Sequence, residues 1–266
     1  MKNFFRSFLA SLLAFLVAGI ILIFVFVAAM IGSIAGSSAS MFSGGTDNAK
    51  VKDNSVLHIK FDKPIVDRAK DNPFENFDFG SMSVTGSMGL NKALKAIHRA
   101  KEDDKIKGIY LDIAGMQAGM ATMEEIRSAL LDFKLSGKWI ISYSELYSQS
   151  AYYIASVADD IYIYPEGMLD FRGFRSEIAF MKGALEKLEI EAQIIRGRNN
   201  KFKSAVEPLM YDHMSDANRE QMNKYVGSLW NHYVSAISAS RKISEEELNE
   251  IADSLYVRDA KDAVTY

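Results

Sequence analysis

Residues 108–164 read GIYLDIAGMQAGMATMEEIRSALLDFKLSGKWIISYSELYSQSAYYIASVADDIYIY, and this segment alternates short apolar runs with longer amphipathic ones. The runs Gly108–Ile113, Trp139–Tyr143 and Ile161–Tyr164 have the length and the aromatic and β-branched content of strands. The residues between them have helical spacing. Strands that alternate with helices pair in parallel, with the helices on the faces of the sheet. The segment therefore predicts an α/β fold.

The same alternation continues on both sides of this segment. Upstream, Val56–Phe61 has the two-residue period of a strand and Leu90–Glu102 has helical spacing, with an irregular stretch from Pro64 to Gly89 between them. Downstream, Ala192–Ile195 is predicted to be the last strand. The predicted helices are Thr122–Phe133, Ala151–Ala158, Ile178–Leu188, a long helix from Ser215 to Ile243, and one that begins at Ser244. Capping boxes open the first and the last of them, at Thr122 and Glu125 and at Ser244 and Glu247, and Gly137 ends the first.

The N-terminal segment has the composition of a membrane anchor. From Phe8 to Ile31 the chain has no charged residue, and as a helix it would reach about 36 Å, against a bilayer hydrocarbon core of about 30 Å. A cleaved signal peptide is the alternative, but its apolar region is usually only about 7–15 residues long. Lys2 and Arg6 precede the span, so the positive-inside rule predicts a single-pass membrane protein with a cytoplasmic N-terminus and an extracytoplasmic domain. The predicted organisation is a cytoplasmic N-terminus at 1–7, a transmembrane helix at 8–31, a linker at 32–54 and one domain at 55–266.

Composition excludes several classes of function. The chain has 31 Lys and Arg against 34 Asp and Glu, a formal charge of −3 and no cysteine. Such a balance is unlike a nucleic-acid-binding protein, and without cysteine there are no disulfides, thiolate metal sites or cysteine nucleophiles. Phosphate-loop, dinucleotide-binding and α/β-hydrolase motifs are absent. No cofactor or metal is predicted, because the histidines have no partner at a metal-ligand spacing; they are His58, His98, His213 and His232.

Two segments have compositions that a purely structural role does not explain. One is Tyr147–Ser156, between a predicted strand and a predicted helix, and the other is Arg196–Pro208, which follows the last predicted strand. The second segment carries four cations, which composition alone describes as solvated surface charges or as a site for anionic head groups. These cations are Arg196, Arg198, Lys201 and Lys203. The residues by themselves predict no more than an α/β domain attached to a membrane anchor.

Several of these segments together resemble the signal peptide peptidase A family, in its long, two-domain form. The resemblance covers the anchor and almost everything after residue 54, and it implies a ClpP/crotonase-like fold. It also implies a serine peptidase with a Ser-Lys dyad and no cofactor. Such an enzyme is a homo-oligomer anchored in the inner membrane with its domain in the periplasm, and it degrades signal peptides and other hydrophobic segments. The matching segments are Gly108–Asp112, Tyr147–Gln149, Tyr152–Ser156, Pro165–Gly173, and most specifically Phe202–Pro208 with Met214 and Ser215.

The resemblance places the general base at Lys203. In the long form the first domain supplies the lysine and the second domain supplies the serine, and Lys203 falls on the lysine position. A lysine in that role has to be largely neutral near pH 7, against an ordinary pKa of about 10.4, a difference worth about 4 kcal/mol. Phe202, Ala205 and Val206 are expected to give it apolar cover, whereas Lys201 is expected to be a solvated flank.

The nucleophile position of the family holds no serine in this chain. Single-domain relatives have a serine three residues before paired tyrosines, and here Gln149 stands three residues before Tyr152. Ser148 and Ser150 flank that position without occupying it, and Gly119 is expected at the turn that stabilises the oxyanion in active domains. The sequence therefore predicts a chain that supplies the base and lacks the nucleophile, as a fragment or a truncated product. The alternative is a catalytically inactive, membrane-anchored scaffold of the same fold.

Overall fold

The computed structural model describes residues 2–42, 51–69, 77–78, 83–84, 86–197 and 200–266. The chain divides into two compact units, Met1–Val51 and Lys52–Tyr266. The first unit contains helix α1, Lys2–Phe42. Within it, Phe4–Ala29 is long and apolar enough to cross a membrane, which fits the predicted anchor. The helix runs past the predicted end of the span, because no proline interrupts residues 32–42 and the next helix-breaking pair is Gly44 and Gly45.

The second unit is built on a parallel sheet with flanking helices. Its strands are β1 Ser55–Lys60, β2 Ile65–Val66, β3 Phe77–Asp78, β4 Ser83–Val84, β5 Met88–Gly89, β6 Ile106–Asp112, β7 Trp139–Tyr147 and β8 Asp160–Leu169. Its helices are α2 Leu90–Glu102, α3 Met120–Lys134, α4 Gln149–Ala155, α5 Lys182–Lys187, α6 Glu207–Met210, α7 Asp216–Arg241, α8 Glu245–Asp253 and α9 Ala260–Thr265.

The main sheet has four strands in the order β1-β6-β7-β8, and all three pairings are parallel. Within the described residues, two two-stranded pairs, β2 with β5 and β3 with β4, lie in the stretch from Pro64 to Gly89 that was predicted to be irregular. The rest of that stretch, at 70–76, 79–82 and 85, lies outside the described residues. The α/β architecture with a parallel sheet is therefore confirmed.

The core lies between one face of this sheet and the helices. Ile109 and Leu111 of β6 are fully buried, whereas Tyr110 and Asp112, which alternate with them, are partly exposed on the other face. Ile126 and Leu130 of α3 are also fully buried against this core. Burying each such side chain contributes about 1.5–3 kcal/mol, so this layer holds the strand ends in fixed positions.

Helix starts agree with the sequence where a serine caps the helix. Ser215 Oγ accepts a hydrogen bond from Asn218 N at 3.2 Å, and Ser244 Oγ accepts one from Glu247 N at 3.1 Å. Both predicted caps are confirmed. The capping box at Thr122 is wrong, because α3 begins at Met120 with Gly119 as its N-cap and no side-chain cap. The helix starts earlier than the box indicates, and Met123 in its first turn is buried.

Downstream of β8 the predictions overestimate regular structure. The predicted strand Ala192–Ile195 is wrong: residues 191–197 are in neither a helix nor a strand, and the Ile195 side chain is fully exposed. An apolar run becomes a strand only when it has a strand to pair with, and this segment pairs with none of the described strands. Helix α5 is also shorter than the predicted Ile178–Leu188.

Candidate active site

The carboxyl ends of β6 and β7 bring the Tyr147–Ser156 segment into position. The amide of Ser148 donates to Ala114 O at 3.0 Å, and Ser148 Oγ caps α4 by accepting from Ala151 N at 3.2 Å. Ser150 Oγ lies 3.0 Å from Ser148 Oγ and accepts from Met116 N at 3.4 Å. Both hydroxyls therefore join the loop after β6 to the start of α4. Among the described residues, no basic side chain is hydrogen-bonded to either serine.

Gln149, in the predicted nucleophile position, has its whole side-chain amide engaged. Its Oε1 accepts from Arg172 N at 2.8 Å and Gly173 N at 2.9 Å, and its Nε2 donates to Gly173 O at 2.9 Å. Its backbone carbonyl also accepts a hydrogen bond from Tyr233 Oη. Gly173 has a φ of +91°, a conformation that suits glycine, and it presents both backbone groups to the amide. Gln149 therefore ties α4 to the loop after β8.

Lys203 lies on the turn before α6, with its side chain exposed. Within the described part of the chain, its Nζ makes no hydrogen bond or ion pair. The predicted apolar cover is wrong for Phe202 and Ala205, because both are themselves exposed and the Phe202 ring lies 4.9 Å from Lys201 Nζ; Val206 is partly buried. Successive side chains of a turn leave it in different directions, so adjacency in sequence did not place Phe202 over Lys203. The described residues leave the Lys203 amine in water.

The backbone on both sides of Lys203 is nevertheless held firmly. Lys203 N donates to Asn200 O at 2.9 Å, closing a turn, and Arg196 Nη2 donates to Lys203 O at 3.0 Å. On the other side Glu207 is only 2% exposed. Its carboxylate accepts from Ser215 Oγ at 2.6 Å, Ser215 N at 3.3 Å and Asn218 Nδ2 at 2.9 Å. The segment is thus fastened to the N-terminus of α7.

Electrostatics agree with this anchoring role of Glu207. Burial by itself raises the pKa of the carboxyl, but the hydrogen bonds from Ser215 and Asn218, with the charge of Arg196, outweigh it and lower the pKa. Glu207 is therefore ionised in the folded protein near neutral pH. A buried carboxylate with three donors is a fixed point of the fold rather than a free acid.

Gly119, which was expected at the family's oxyanion turn without a chemical role in this half, is the N-cap of α3 in an extended conformation. Among the residues that the structure describes, no atom lies within 4 Å of the position where its Cβ would be. The structure therefore places it beside open space and gives it a structural role at the helix start.

A buried network centred on Arg127 was not predicted from the sequence. Arg127 is 2% exposed, its Nη1 donates to Tyr153 O and Ser156 Oγ, and its guanidinium lies 4.8 Å from the Tyr153 ring. Glu124 accepts hydrogen bonds from Tyr153 Oη and, at 3.0 Å, from His232 Nε2. These contacts join α3, α4 and α7. The sequence carried one signal for this network. Arg127 follows Ile126 directly and precedes Leu130 by three residues, which places it on the core-facing side of the α3 pattern.

The histidines each lie beside one carboxylate and form no cluster. Among the residues that the structure describes, no group of three His, Asp or Glu side chains is placed to hold a metal ion. The pairs are His58 with Asp112 at 3.4 Å, His98 with Glu102 at 3.4 Å, His213 with Asp212 at 2.5 Å, and His232 with Glu124.

A four-stranded parallel sheet with flanking helices, carrying polar segments at the carboxyl ends of its strands, defines a ClpP-like α/β domain. Residues 132–266, half of the chain, match the sequence model of Peptidase family S49, and the chain belongs to this family.

Three relatives illustrate the relationship. "Protease 4" of Salmonella typhi is 39% identical over 156 residues, which are 58% of this chain and 25% of that protein. "Protease 4" of Haemophilus influenzae is 37% identical over 154 residues, again 58% of this chain and 25% of the relative. "Serine protease SPPA, chloroplastic" of Arabidopsis thaliana is 27% identical over 208 residues, 78% of this chain and 29% of the relative. The matched region spans about a quarter of the length of these proteins.

Proposed function

We propose that this chain is the lysine-bearing half of a membrane-anchored Ser-Lys endopeptidase that degrades cleaved signal peptides and other hydrophobic segments. Membership of Peptidase family S49 supports the class of reaction. The observation that carries the assignment of this half is the contrast between two positions. Lys203 lies on an anchored turn and its amine has no partner within the described part of the chain, whereas the nucleophile position holds Gln149, whose amide is fully engaged in the fold.

In this proposal the nucleophilic serine comes from a second domain that packs over Lys203. That domain also has to exclude water from the amine, since the described residues leave it exposed. Once the site is dry, the neutral form of the lysine is favoured, because burial disfavours the charged form. The exposed Lys203 is thus one half of a site that closes on assembly.

The chemistry needs one amine that carries a proton in both directions. Lys203 Nζ takes the proton of the serine hydroxyl as the serine oxygen bonds to the peptide carbonyl carbon. The protonated amine then gives this proton to the departing amine as the peptide C–N bond breaks. In the second half, the amine removes a proton from water as water attacks the acyl ester, and returns it to the serine oxygen. No metal or organic cofactor takes part in these steps.

The proposal also includes the role of the membrane anchor, the orientation of the chain in the membrane and its oligomeric state. Residual signal peptides lie in or near the bilayer, so an apolar helix such as α1 keeps the enzyme in the same membrane as its substrates. We place the N-terminus in the cytoplasm and the second unit in the periplasm, because Lys2 and Arg6 precede the apolar span. The enzyme is proposed to be a homo-oligomer.

The test uses the chain assembled with its serine-bearing domain, in detergent, and a fluorogenic hydrophobic peptide. We expect Lys203→Ala to lower kcat by about 100-fold or more, the scale of a lost general base. Lys201→Ala is the matched control, two residues away on the same turn and exposed like Lys203; it should keep normal activity. A fluorophosphonate probe should label the serine-bearing domain and no serine of this chain.

Two outcomes would contradict the proposal. Full activity in Lys203→Ala would favour the inactive scaffold as the role of this chain. Hydrolysis by the 266-residue chain alone, abolished by Ser150→Ala, would place the nucleophile in this half instead.

A further inference from the structure

Lys203 lies on a turn that neither a helix nor a strand holds in place. Residues 201–206 precede the short α6, and the turn is closed by the single backbone hydrogen bond from Lys203 N to Asn200 O. A general base has to be held within a fraction of an ångström of its partner, and a misplacement of about 1 Å costs about 100-fold in rate. Something other than regular secondary structure therefore has to fix the lysine.

Arg196 is the side chain that contacts both ends of this turn. Its Nη2 donates to the carbonyl of Asn200 at 3.3 Å and to the carbonyl of Lys203 at 3.0 Å, so one nitrogen spans the two ends of the turn. Its Nη1 lies 3.9 Å from Met210 Sδ, at the end of α6. The guanidinium therefore joins the turn to the element that follows it.

The placement of Arg196 is not what stability alone would select. Its Nε is buried and has no hydrogen-bond partner among the described residues. A buried donor without a partner is costly, and in native proteins such groups are few and call for a specific explanation. The reach of the arginine side chain gives one: Nη2 lies one bond farther from the backbone than a lysine Nζ would, and it meets both carbonyls while Nη1 faces Met210 Sδ.

Glu207 secures the far side of the same turn. Its carboxylate is fixed by Ser215 and Asn218 at the start of α7, and its amide donates to Ser204 O at 3.0 Å. Arg196 and Glu207 thus hold the backbone of Lys203 from both directions, while the lysine amine has no hydrogen-bond or ion-pair partner among the residues that the structure describes.

We infer that Arg196 is the positioning residue of the general base: it fixes the main chain of Lys203 so that the amine meets the serine delivered by the other domain. This inference rests on the proposed function. Arg196 does not touch substrate, and its effect on the reaction passes through the Lys203 carbonyl.

The experiment measures kcat and KM of the assembled enzyme in detergent for Arg196→Gln, Arg196→Lys and Arg175→Gln. Arg175 is the matched control, an arginine with an 81% exposed side chain whose partner is Glu177. We expect Arg196→Gln to lower kcat by about 10- to 100-fold with KM unchanged. Arg196→Lys keeps the charge, but its Nζ ends about one bond short of the Nη2 position, so its kcat should fall between those of Arg196→Gln and the parent. Arg175→Gln should match the parent.

Chemical rescue separates positioning from a general loss of structure. In Arg196→Ala, added methylguanidinium should restore part of kcat, since it replaces the group that contacts both carbonyls and Met210, whereas the smaller methylammonium at the same concentration should not. If Arg196→Gln does not fold, the kcat of Arg196→Lys and the rescue of Arg196→Ala decide the matter.

The positioning role of Arg196 and the base role of Lys203 can be refuted separately. Normal kcat in Arg196→Gln or Arg196→Lys, or a loss confined to KM, overturns the positioning role while Lys203→Ala remains inactive. Activity in Lys203→Ala overturns the assignment of the base, and the positioning role with it.

Discussion

Replacing Arg127 with methionine tests how the helical layer is held together. Arg127 Nη1 donates to Tyr153 O and, at 2.8 Å, to Ser156 Oγ; Nη2 donates to Ala236 O and Ser240 Oγ, both at 2.6 Å. These bonds join α3 to α4 and to α7. Arg127→Met keeps an unbranched side chain of similar length and removes all four bonds.

The expected loss follows from the contacts. A hydrogen bond to a charged group contributes about 1.5–3 kcal/mol, so four of them have a gross value of about 6 kcal/mol or more. Against this stands the cost of dehydrating the guanidinium, and burial indeed lowers the pKa of Arg127. Tyr153 O also keeps its hydrogen bond from Ser156 Oγ at 3.0 Å. We therefore expect a net loss of about 3–5 kcal/mol in the free energy of unfolding.

The assay is urea unfolding of the full chain in detergent, followed by tryptophan fluorescence from Trp139 and Trp230. Arg175→Met is the control, and its exposed ion pair should contribute less than about 1 kcal/mol. Arg127→Lys should be destabilised as well, since an ammonium group with three donors cannot satisfy four acceptors on two elements. An unfolding free energy for Arg127→Met within about 0.5 kcal/mol of the parent would refute the view that this network joins the helices.

Two further predictions concern single positions. Because the pKa of Glu207 is lowered in the folded state, its contribution is complete above about pH 4.3, where the unfolded carboxyl titrates, and is lost as the pH falls through the lower folded value. Glu207→Gln should therefore flatten the acid dependence of the urea midpoint, and an unchanged slope would contradict the anchoring role. Gly108→Ala would place a Cβ 2.3 Å from the Trp139 indole, so we expect a loss of about 1–2 kcal/mol and red-shifted tryptophan emission. Gly227→Ala, in α7 with open space around it, should instead stabilise by up to about 1 kcal/mol, and equal effects at the two glycines would refute the clash.

Sequence patterns predicted correctly those parts of the fold that depend on interactions between residues close in the chain. Helix α2 has the predicted bounds, Leu90–Glu102, and Ser215 and Ser244 cap α7 and α8 as predicted, because helical spacing and a cap involve residues within one or two turns. The strand at Ala192–Ile195 failed because strand formation depends on a partner elsewhere in the chain.

The candidate site shows the same division. The resemblance of the Phe202–Pro208 segment to the peptidase family directed attention to Lys203, and the position of Gln149 before Tyr152 was legible in the sequence. Neither segment revealed that the Gln149 amide is closed onto Gly173, or that Lys203 is exposed with Phe202 turned toward Lys201. Those facts depend on where loops that are distant in sequence meet.

The amino-acid sequence by itself determined an apolar N-terminal helix, a parallel α/β domain, several helix caps and the residue types at the two family positions. Only the tertiary structure decided which polar groups are paired: Arg127 with Ser240, 113 residues away, Gln149 with Gly173, 24 residues away, and Arg196 with the Lys203 carbonyl. The reason is physical. Periodicity and capping act over a few residues, whereas a buried polar group takes the partner that the packing of distant elements brings within about 3 Å.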